Sequence, residues 1–366
     1  MTRDRAVPPT TIPNGSRRLL IITVTPNPAW DVTYEVPALV PGEVHRVTAV
    51  HRRLGGKGVN VARVLAAVGR DTVAMLPGPS GLAAEAGLSV PAGDIGRPPG
   101  EDSGAALVCD VVPGLPAIRQ TLVVHGGDGI TTSLWEPGVE PGPGTGEALA
   151  DRFRAWLRGD DHAWSGADGL AAGRLTDANA SGQRPVSGAV ISGSLPPGLD
   201  ARLHARLAGI ALDAGVAAVV DTSGDALAHA ATVPGVVLAP NASELAQLAG
   251  TACDELAKAV AAARTVLSGG PLAVVVTLGG DGLVAVTEKG AWHGRLAQPL
   301  AGNPTGAGDA AAAALIAGLA DTASWPDIVA DAVALSAAAV LSPVAGEVSP
   351  ADFARLRAGV AIREVA

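Results

Sequence analysis

The stretch Asn303–Leu319, NPTGAGDAAAAALIAGL, joins a glycine-bearing turn to a run of small apolar residues that is typical of a buried helix. Glycines in this turn permit a sharp bend and expose backbone amides without side-chain obstruction. If a helix begins near Gly306, its unpaired amides and the positive end of its dipole form an anion site beside Asp309. A carboxylate there could accept a hydroxyl proton while the amides stabilise charge on a transferred group. From this stretch alone, a helix-capping aspartate is an equal alternative.

The rest of the second half alternates continuous apolar runs with helical segments. The runs GAVISGS, AAVVDTSG, GVVLAPN and PLAVVVTLGG are separated by helices that we expect after LPPGLD, from Asp225 and from Ala242. We also expect a hairpin at GLVAVTEKGAWHGRL and alanine-rich helices at 306–320 and 326–341. This alternation predicts an α/β fold with a mostly parallel sheet covered by helices on both faces. In such sheets ligands lie at the carboxyl ends of the strands, where each run here ends in small polar residues.

The first half has a different pattern. A buried strand at Leu19–Val24 precedes the turn TPNPAWD, and a helix is expected to follow GGKG. Alternating residues within 32–54 and 105–136 predict short antiparallel strands, with GAALVCDVV and IRQTLVVHGGDGITTSLW paired and a tight hairpin at HGGDG. Residues 159–187 lack periodicity and are interpreted as a flexible insertion. Residues 1–18 are interpreted as a disordered leader, and 19–366 as one domain.

Composition excludes several classes of protein. The 366 residues carry a net charge of −9 without a basic run, which argues against binding to nucleic acid. No segment reaches the roughly 18 uninterrupted apolar residues of a membrane-spanning helix. The two cysteines, Cys109 and Cys253, are far apart and have no metal-type spacing, so we expect a protein of the reducing cytoplasm without disulfides.

Two clusters in the first half offer polar groups for a small ligand. In GGKGVNVARVLAAVG, Gly55 and Gly56 permit close backbone approach, Lys57 supplies a cation and Asn60 lies one turn into the helix. Together they could bind a polyol or a sugar phosphate; the alternative is a glycine-rich connection with a solvated lysine. Asp31 in TPNPAWD could bind sugar hydroxyls, although a lone aspartate after a strand is more often a turn former.

Two clusters in the second half are compatible with a nucleotide. In APNASEL, Asn241 and Glu244 share one helix face and could hold Mg²⁺ through water, or form a capping box. In VTLGGDGLV, Thr277 and Gly279 end a strand as a turn toward a nucleotide phosphate or ribose would require, which is also compatible with a hairpin.

In order along the chain, these motifs resemble those of the PfkB (ribokinase-like) carbohydrate kinases, in the branch of 1-phosphofructokinase and tagatose-6-phosphate kinase. The motifs are TPNPAWD, GGKGVNVARVLAAVG, SGSLPPG, APNASEL, TLGGDG and NPTGAGD, and they span residues from about 20 to 345. Each motif is weak alone, whereas six in the family's order are specific. The resemblance implies a three-layer α/β/α fold whose small β-sheet lid, within 32–54 and 105–136, often makes a dimer contact.

The resemblance also implies roles for individual residues. Asp309 would be the catalytic base, with the amides of Gly306, Ala307 and Gly308 as the anion hole. The sugar phosphate would be bound by Asp31, Gly55, Gly56, Lys57, Asn60 and Arg119. Arg46 in PGEVHR is a weaker candidate than Arg119 for contact with the phosphate. The nucleotide would be bound by Thr277, Gly279, Gly282 and Asn241, with Asn241 and Glu244 near Mg²⁺. The implied activity is ATP- and Mg²⁺-dependent phosphorylation of a hexose phosphate.

Fructose 1-phosphate is the first substrate we expect, and tagatose 6-phosphate or fructose 6-phosphate is the alternative. The chain departs from the family where Ala239 replaces the lysine before PN, which removes a cation near the ATP phosphates. At AIRQT the family's TRxN pattern is reduced to Arg119, and Thr121 stands for its asparagine. Ala239 also leaves open a different class of protein, a non-catalytic regulator that binds sugar phosphates.

Overall fold

A computed structural model describes residues 19–86, 105–160, 185–298, 300–342 and 344–365. The expected leader at 1–18 and most of the expected insertion at 159–187 lie outside these ranges. The strands are β1 (Leu20–Val24), β2 (Ala29–Val36), β3 (Ala49–Gly55), β4 (Asp71–Gly78), β5 (Leu107–Pro113), β6 (Arg119–Gly126), β7 (Thr131–Trp135), β8 (Val186–Ser192), β9 (Ala217–Asp221), β10 (Val237–Leu238), β11 (Ala273–Thr277), β12 (Leu283–Thr287), β13 (Gly290–Leu296) and β14 (Val360–Val365). The helices are α1 (Lys57–Ala67), α2 (Leu82–Glu85), α3 (Thr145–Arg158), α4 (Leu203–Asp213), α5 (Gly224–Ala230), α6 (Ala242–Ala249), α7 (Leu256–Leu267), α8 (Ala307–Ala320), α9 (Trp325–Val340) and α10 (Pro350–Arg357).

The larger sheet has ten strands in the order β14-β13-β12-β11-β10-β9-β8-β1-β4-β5. Neighbouring strands pair in parallel throughout the stretch β11-β10-β9-β8-β1-β4-β5 of this order. At the other end, β12, β13 and β14 pair antiparallel. Alternate residues of β1 enter different core clusters, since Leu20 and Ile22 join one and Ile21 joins the other. Both faces are therefore covered, which is why continuous apolar runs form these strands. The predicted α/β fold is confirmed.

The smaller sheet has four strands in the order β3-β2-β6-β7. Along β2 the side chains alternate: Trp30 and Val32 enter a core cluster, whereas Asp31 and Thr33 lie on the opposite face. The expected HGGDG hairpin joins β6 to β7, and Gly129 adopts a φ of +83° in its turn. The period-two pattern thus predicts these strands, and the β2–β3 and β6–β7 pairs are antiparallel as expected. The central pair, β2 and β6, is parallel, contrary to that expectation.

One strand expected beside this hairpin lies elsewhere. Instead of pairing with β6, β5 pairs in parallel with β4 at the edge of the larger sheet. Consecutive residues Leu107, Val108 and Cys109 are all buried, because helices and the smaller sheet cover both sides of this strand. An interpretation as a half-exposed antiparallel strand was therefore wrong for Leu107–Pro113.

The carboxyl ends of β1, β8, β9, β10 and β11 meet at one edge of the larger sheet, and the smaller sheet faces that edge across a cleft. Helices α1 and α8 begin at this edge, so their amino-terminal turns face the same cleft. Within the described ranges, no helix has the length and apolar character needed to cross a membrane.

Candidate active site

The cleft between the two sheets has a volume of about 1480 Å³. Of the residues that the sequence indicates for the site, all but Gly55 and Arg46 line it: Asp31, Gly56, Lys57, Asn60, Arg119, Asn241, Glu244, Thr277, Gly279, Gly282, Gly306, Ala307, Gly308 and Asp309. Gly55 lies behind Asp31. A Cβ at position 55 would stand 2.0 Å from Oδ2 of Asp31, so only glycine leaves room for that carboxylate.

Asp309 lies in the first turn of α8 and is only 6% exposed. Burial raises its pKa to about 7, and the nearby charge of Asp221 adds to the effect, while Lys57 and Asn60 oppose it. Its carboxylate accepts a hydrogen bond from Nδ2 of Asn60 at 3.2 Å. Among the described residues, no side chain caps this helix, so the capping alternative does not hold for Asp309.

The start of α8 presents backbone rather than side chains to the cleft. Gly306 precedes the helix with a φ of +88°, a left-handed conformation that favours glycine. A Cβ added at Gly308 would meet no atom within 4 Å, so space for a ligand remains beside its backbone. The amide of Ala307 donates to the carbonyl of Pro304 at 3.2 Å, which engages one of the three amides expected in the anion hole.

Asn60 connects two carboxylates. Its Nδ2 donates to Oδ2 of Asp31 at 3.3 Å as well as to Asp309, while its Oδ1 accepts from Nη1 of Arg63 at 3.4 Å. On the smaller sheet, Oγ1 of Thr121 donates to Oδ1 of Asp31 at 2.6 Å, so this threonine supports the carboxylate. Asp31 is thereby held from both sides of the cleft.

Lys57 is paired with a residue that sequence reasoning did not single out. Its Nζ donates to Oδ1 of Asp221 at 2.7 Å, and Oδ2 of Asp221 accepts from Oγ of Ser192 at 3.2 Å. Burial alone would lower the pKa of Lys57, but Asp221, Asp309 and Glu244 outweigh it and raise the pKa above its usual value. Lys57 is therefore charged and fixed in direction rather than freely solvated.

A buried histidine supports the same strand ends. His204 is fully buried, and its Nε2 lies 2.9 Å from the carbonyl oxygen of Gly193. Burial lowers the pKa of His204 to about 4, so the ring is neutral and donates to that carbonyl. The hydroxyl of Thr222 donates to the same carbonyl at 2.8 Å. These bonds fix the turn after β8 against the turn after β9.

Arg119 reaches the cleft from the opposite sheet. Its Nη1 donates to the carbonyl oxygen of Glu136 at 2.7 Å, while its Nε has no partner among the described residues. Burial lowers its pKa, and Asp31 and Glu136 oppose that effect, so the group stays cationic. Arg46, a weaker sequence candidate for the same role, is exposed and does not line the cleft.

The other end of the cleft is formed by the turns after β10 and β11. Asn241 and Glu244 make a complete capping box, with both of its hydrogen bonds at 2.9 Å. A Cβ at Gly282 would stand 2.0 Å from the carbonyl oxygen of Gly294, which explains this glycine by packing. Among the described residues, no group of three or more His, Cys, Asp or Glu side chains could enclose a metal ion.

Fold and site together define a class of protein. A mostly parallel sheet faces a second sheet, and the site combines a buried carboxylate of raised pKa with helix-terminal amides beside open space. This arrangement is that of a phosphotransferase that acts on a hydroxyl of a small substrate. The chain belongs to the PfkB family of carbohydrate kinases. The model of the pfkB family carbohydrate kinases matches residues 183–352.

Similar proteins agree with this assignment. The chain is 32% identical to 1-phosphofructokinase of Xanthomonas campestris pv. campestris over 84% of this chain and 86% of the relative. It is 30% identical to ATP-dependent 6-phosphofructokinase isozyme 2 of Mycobacterium tuberculosis, over 82% and 77% of the two chains. The structure of phosphofructokinase-2 from Escherichia coli with substrates and products aligns with a TM-score of 0.73 and 25% identity, covering 93% of this chain and 99% of that chain. The protein is thus a sugar-phosphate kinase, as the sequence predicts.

Proposed function

We propose that this protein transfers the γ-phosphoryl group of ATP to fructose 1-phosphate and yields fructose 1,6-bisphosphate. One observation carries the proposal: Asp309 is buried beside the amino-terminal backbone of α8, and its carboxylate is joined through Asn60 to Asp31 on the facing sheet. A sugar hydroxyl held near Asp31 and Asn60 would reach Asp309 directly. The function rests on these side chains and on the name of a relative, 1-phosphofructokinase.

The chemistry follows from the environment of Asp309. A carboxylate with a pKa of about 7 accepts a proton near neutral pH more readily than an ordinary aspartate does. The hydroxyl oxygen attacks the γ-phosphorus in line while its proton passes to Asp309. Backbone amides at the start of α8, Gly308 among them, stabilise the charge on the transferred group.

The preference for a phosphorylated sugar is assigned to Arg119. Lys57 is already neutralised by Asp221 at 2.7 Å, so it contributes less net charge to the sugar end than its sequence motif suggests. Arg119 faces the cleft from the smaller sheet and has no carboxylate within hydrogen-bonding distance among its described contacts. We therefore place the phosphate already present on the sugar near Arg119, and the reacting hydroxyl near Asp309.

The nucleotide is proposed to bind along Thr277, Gly279 and Gly282. Mg²⁺ would be held through water by Glu244 and Asn241, together with phosphate oxygens. The residues fit such an ion, since Mg²⁺ prefers oxygen ligands and usually keeps several waters. The capping box uses Oε2 of Glu244, and Oε1 takes no part in it. When bound, the ion would neutralise charge on the phosphates.

We also propose a homodimer formed through the smaller sheet, in a protein of the cytoplasm. Large apolar side chains on this sheet are exposed, among them Val50 of β3 and Leu134 of β7, each at 59%. Large apolar side chains that are exposed on one sheet are typical of an interaction surface. Sedimentation of the wild type and of Leu134→Asp would test the interface: a variant that remains dimeric would refute it.

ADP release in the presence of a panel of sugar phosphates tests the activity. We expect the highest kcat/KM with fructose 1-phosphate, and a fall in kcat of about 10²–10⁴ for Asp309→Asn with substrate affinity nearly unchanged. Preference for fructose 6-phosphate, the reaction in the name of the Mycobacterium tuberculosis relative, would correct the substrate. Tight binding without turnover of any sugar phosphate would instead favour the non-catalytic regulator that Ala239 leaves open.

A further inference from the structure

Three residues between α9 and α10, Ala345–Gly346–Glu347, contact both sides of the cleft. We call them the spacer segment. On one side they lie against Gly306 at the start of α8. On the other they contact Asn60 of α1 and Arg53 of β3. The segment thus lies where three parts of the site meet: the expected anion hole, the smaller sheet and Asn60, which donates a hydrogen bond to Asp309.

Gly346 fills the narrowest part of this junction. Its φ is +74°, in the left-handed region that favours glycine. A Cβ there would stand 2.9 Å from both Cα and Oδ1 of Asn60. A Cβ at Gly306 would likewise stand 2.9 Å from the backbone nitrogen of Gly346. The backbones of Gly306 and Gly346 therefore pack in contact between Asn60 and the start of α8.

Glu347 ties this segment to the smaller sheet. Its Oε1 accepts a hydrogen bond from Nη1 of Arg53 at 2.5 Å, and its Oε2 accepts from Oγ of Ser342 at 3.4 Å. The side chain of Arg53 is 17% exposed, and its Nε and Nη2 have no hydrogen-bond partner among the described residues. Arg53 pairs in register with Asp31 across β3 and β2. Loss of Glu347 would leave a desolvated cation beside Asp31.

We propose that the spacer segment is a positioning element of the kinase: Gly346 sets the distance between the anion hole and Asn60, and the Arg53–Glu347 pair holds the smaller sheet, with Asp31, to that spacing. The sugar would then be presented to Asp309 at the distance that the segment imposes. This inference rests on the proposed function. None of the three residues is assigned contact with a substrate, so the expected effects are on kcat more than on KM for ATP.

Steady-state kinetics of four variants test the positioning role. Gly346→Ala should lower kcat about 10²-fold, the loss expected when reacting groups are displaced by about 1 Å, and should leave KM for ATP within about twofold. Arg53→Glu and Glu347→Arg should each lower kcat at least about tenfold. The double variant Arg53→Glu/Glu347→Arg should recover part of that loss, because the ion pair is restored with its charges exchanged, while the new carboxylate at position 53 faces Asp31.

Reversal of one charge in a remote ion pair is the control. Arg206 and Glu147 form an ion pair between α4 and α3, away from the cleft, and Arg206→Glu should leave kcat unchanged. A double variant at 53 and 347 that is no better than either single variant would overturn the coupling. A Gly346→Ala variant with wild-type kcat would overturn the spacing. If Gly346→Ala does not fold, Glu347→Gln tests the segment with little change of shape, and an unaltered kcat would refute its role.

Hydrogen exchange separates failure of this proposal from failure of the proposed function. Glu347→Arg should speed amide exchange in the peptide containing Gly306 several-fold, and the double exchange should restore protection, whether or not a sugar phosphate is turned over. Absence of turnover in the wild type alone would refute the kinase function. Unchanged exchange at Gly306 in Glu347→Arg would refute the spacer segment.

Discussion

Asp309→Asn should stabilise the folded protein, by an amount that grows with pH. Burial and the charge of Asp221 raise the pKa of Asp309 from the ordinary value of 3.8 to about 7. The folded state therefore holds a proton that the unfolded chain releases, so this group destabilises the fold progressively as pH rises from about 4 to about 7. Above that range the penalty is constant, on the order of 4 kcal/mol at 1.36 kcal/mol per pKa unit.

The amide of asparagine has no charge to desolvate, so the variant escapes this penalty. Below about pH 4 both proteins carry a neutral group at position 309, and their difference in free energy of unfolding should be smallest. Between pH 5.5 and pH 8 the advantage of the variant should grow by roughly 2 kcal/mol, because 1.5 units of pH lie below the raised pKa.

Urea unfolding of both proteins from pH 5 to pH 9 measures this difference. The pH-dependence is the diagnostic quantity, because any change in packing caused by the amide contributes equally at each pH. Asp213→Asn at the end of α4 is a useful control, since it removes an exposed carboxylate that does not line the cleft. A constant difference between wild type and Asp309→Asn across the range would show that the carboxylate is not held at a raised pKa, and would remove the basis for its role as a base at neutral pH.

Three further outcomes test a departure from the family motif, the environment of Asp309 and a buried ion pair. Ala239→Lys should lower KM for ATP about tenfold by restoring a charge-assisted bond, and an unchanged KM in the ADP-release assay would place the nucleotide phosphates elsewhere. Asp221→Asn should move the acid limb of the pH profile of kcat to lower pH, because Asp221 contributes to the raised pKa of Asp309; an unmoved limb would contradict this electrostatic coupling. Asp110→Ala should lower the free energy of unfolding by about 3–5 kcal/mol in urea titrations, since it removes the buried carboxylate that accepts hydrogen bonds from Arg152 and Trp156, each at 2.6 Å, while the kcat of the folded fraction should stay at the wild-type value.

Local patterns were sufficient for most of the fold. Apolar runs that alternate with helices predict the parallel sheet, and period-two alternation predicts the smaller sheet. β5 was misassigned because its place depends on what covers its two faces. Leu107–Pro113 pairs with β4, 35 residues earlier in register, rather than with β6, the strand that follows it. The pattern of a short strand does not specify which sheet edge it joins.

The parts of the candidate site that lie within one short motif were predictable from the sequence. The contacts between residues far apart in the chain were not. The turn at Gly306 and the carboxylate of Asp309 are visible in one motif. The bond between Lys57 and Asp221 joins residues 164 positions apart, and that between Arg53 and Glu347 spans 294 positions. Nothing in the spacing of DTSGD or VAGEV marks these partners, because their role arises only when strand ends meet.

The cleft also bears on how turnover depends on concentration. At about 1480 Å³ it exceeds the roughly 300–1,000 Å³ of a site for one small ligand, and Asp309 and the start of α8 line it. Nothing in the arrangement of Asp309 requires the phosphoryl group to rest on the protein between two half-reactions. Both substrates are therefore expected to be present together in a ternary complex, so that flux follows the joint occupancy of sugar and nucleotide and falls when either one is scarce.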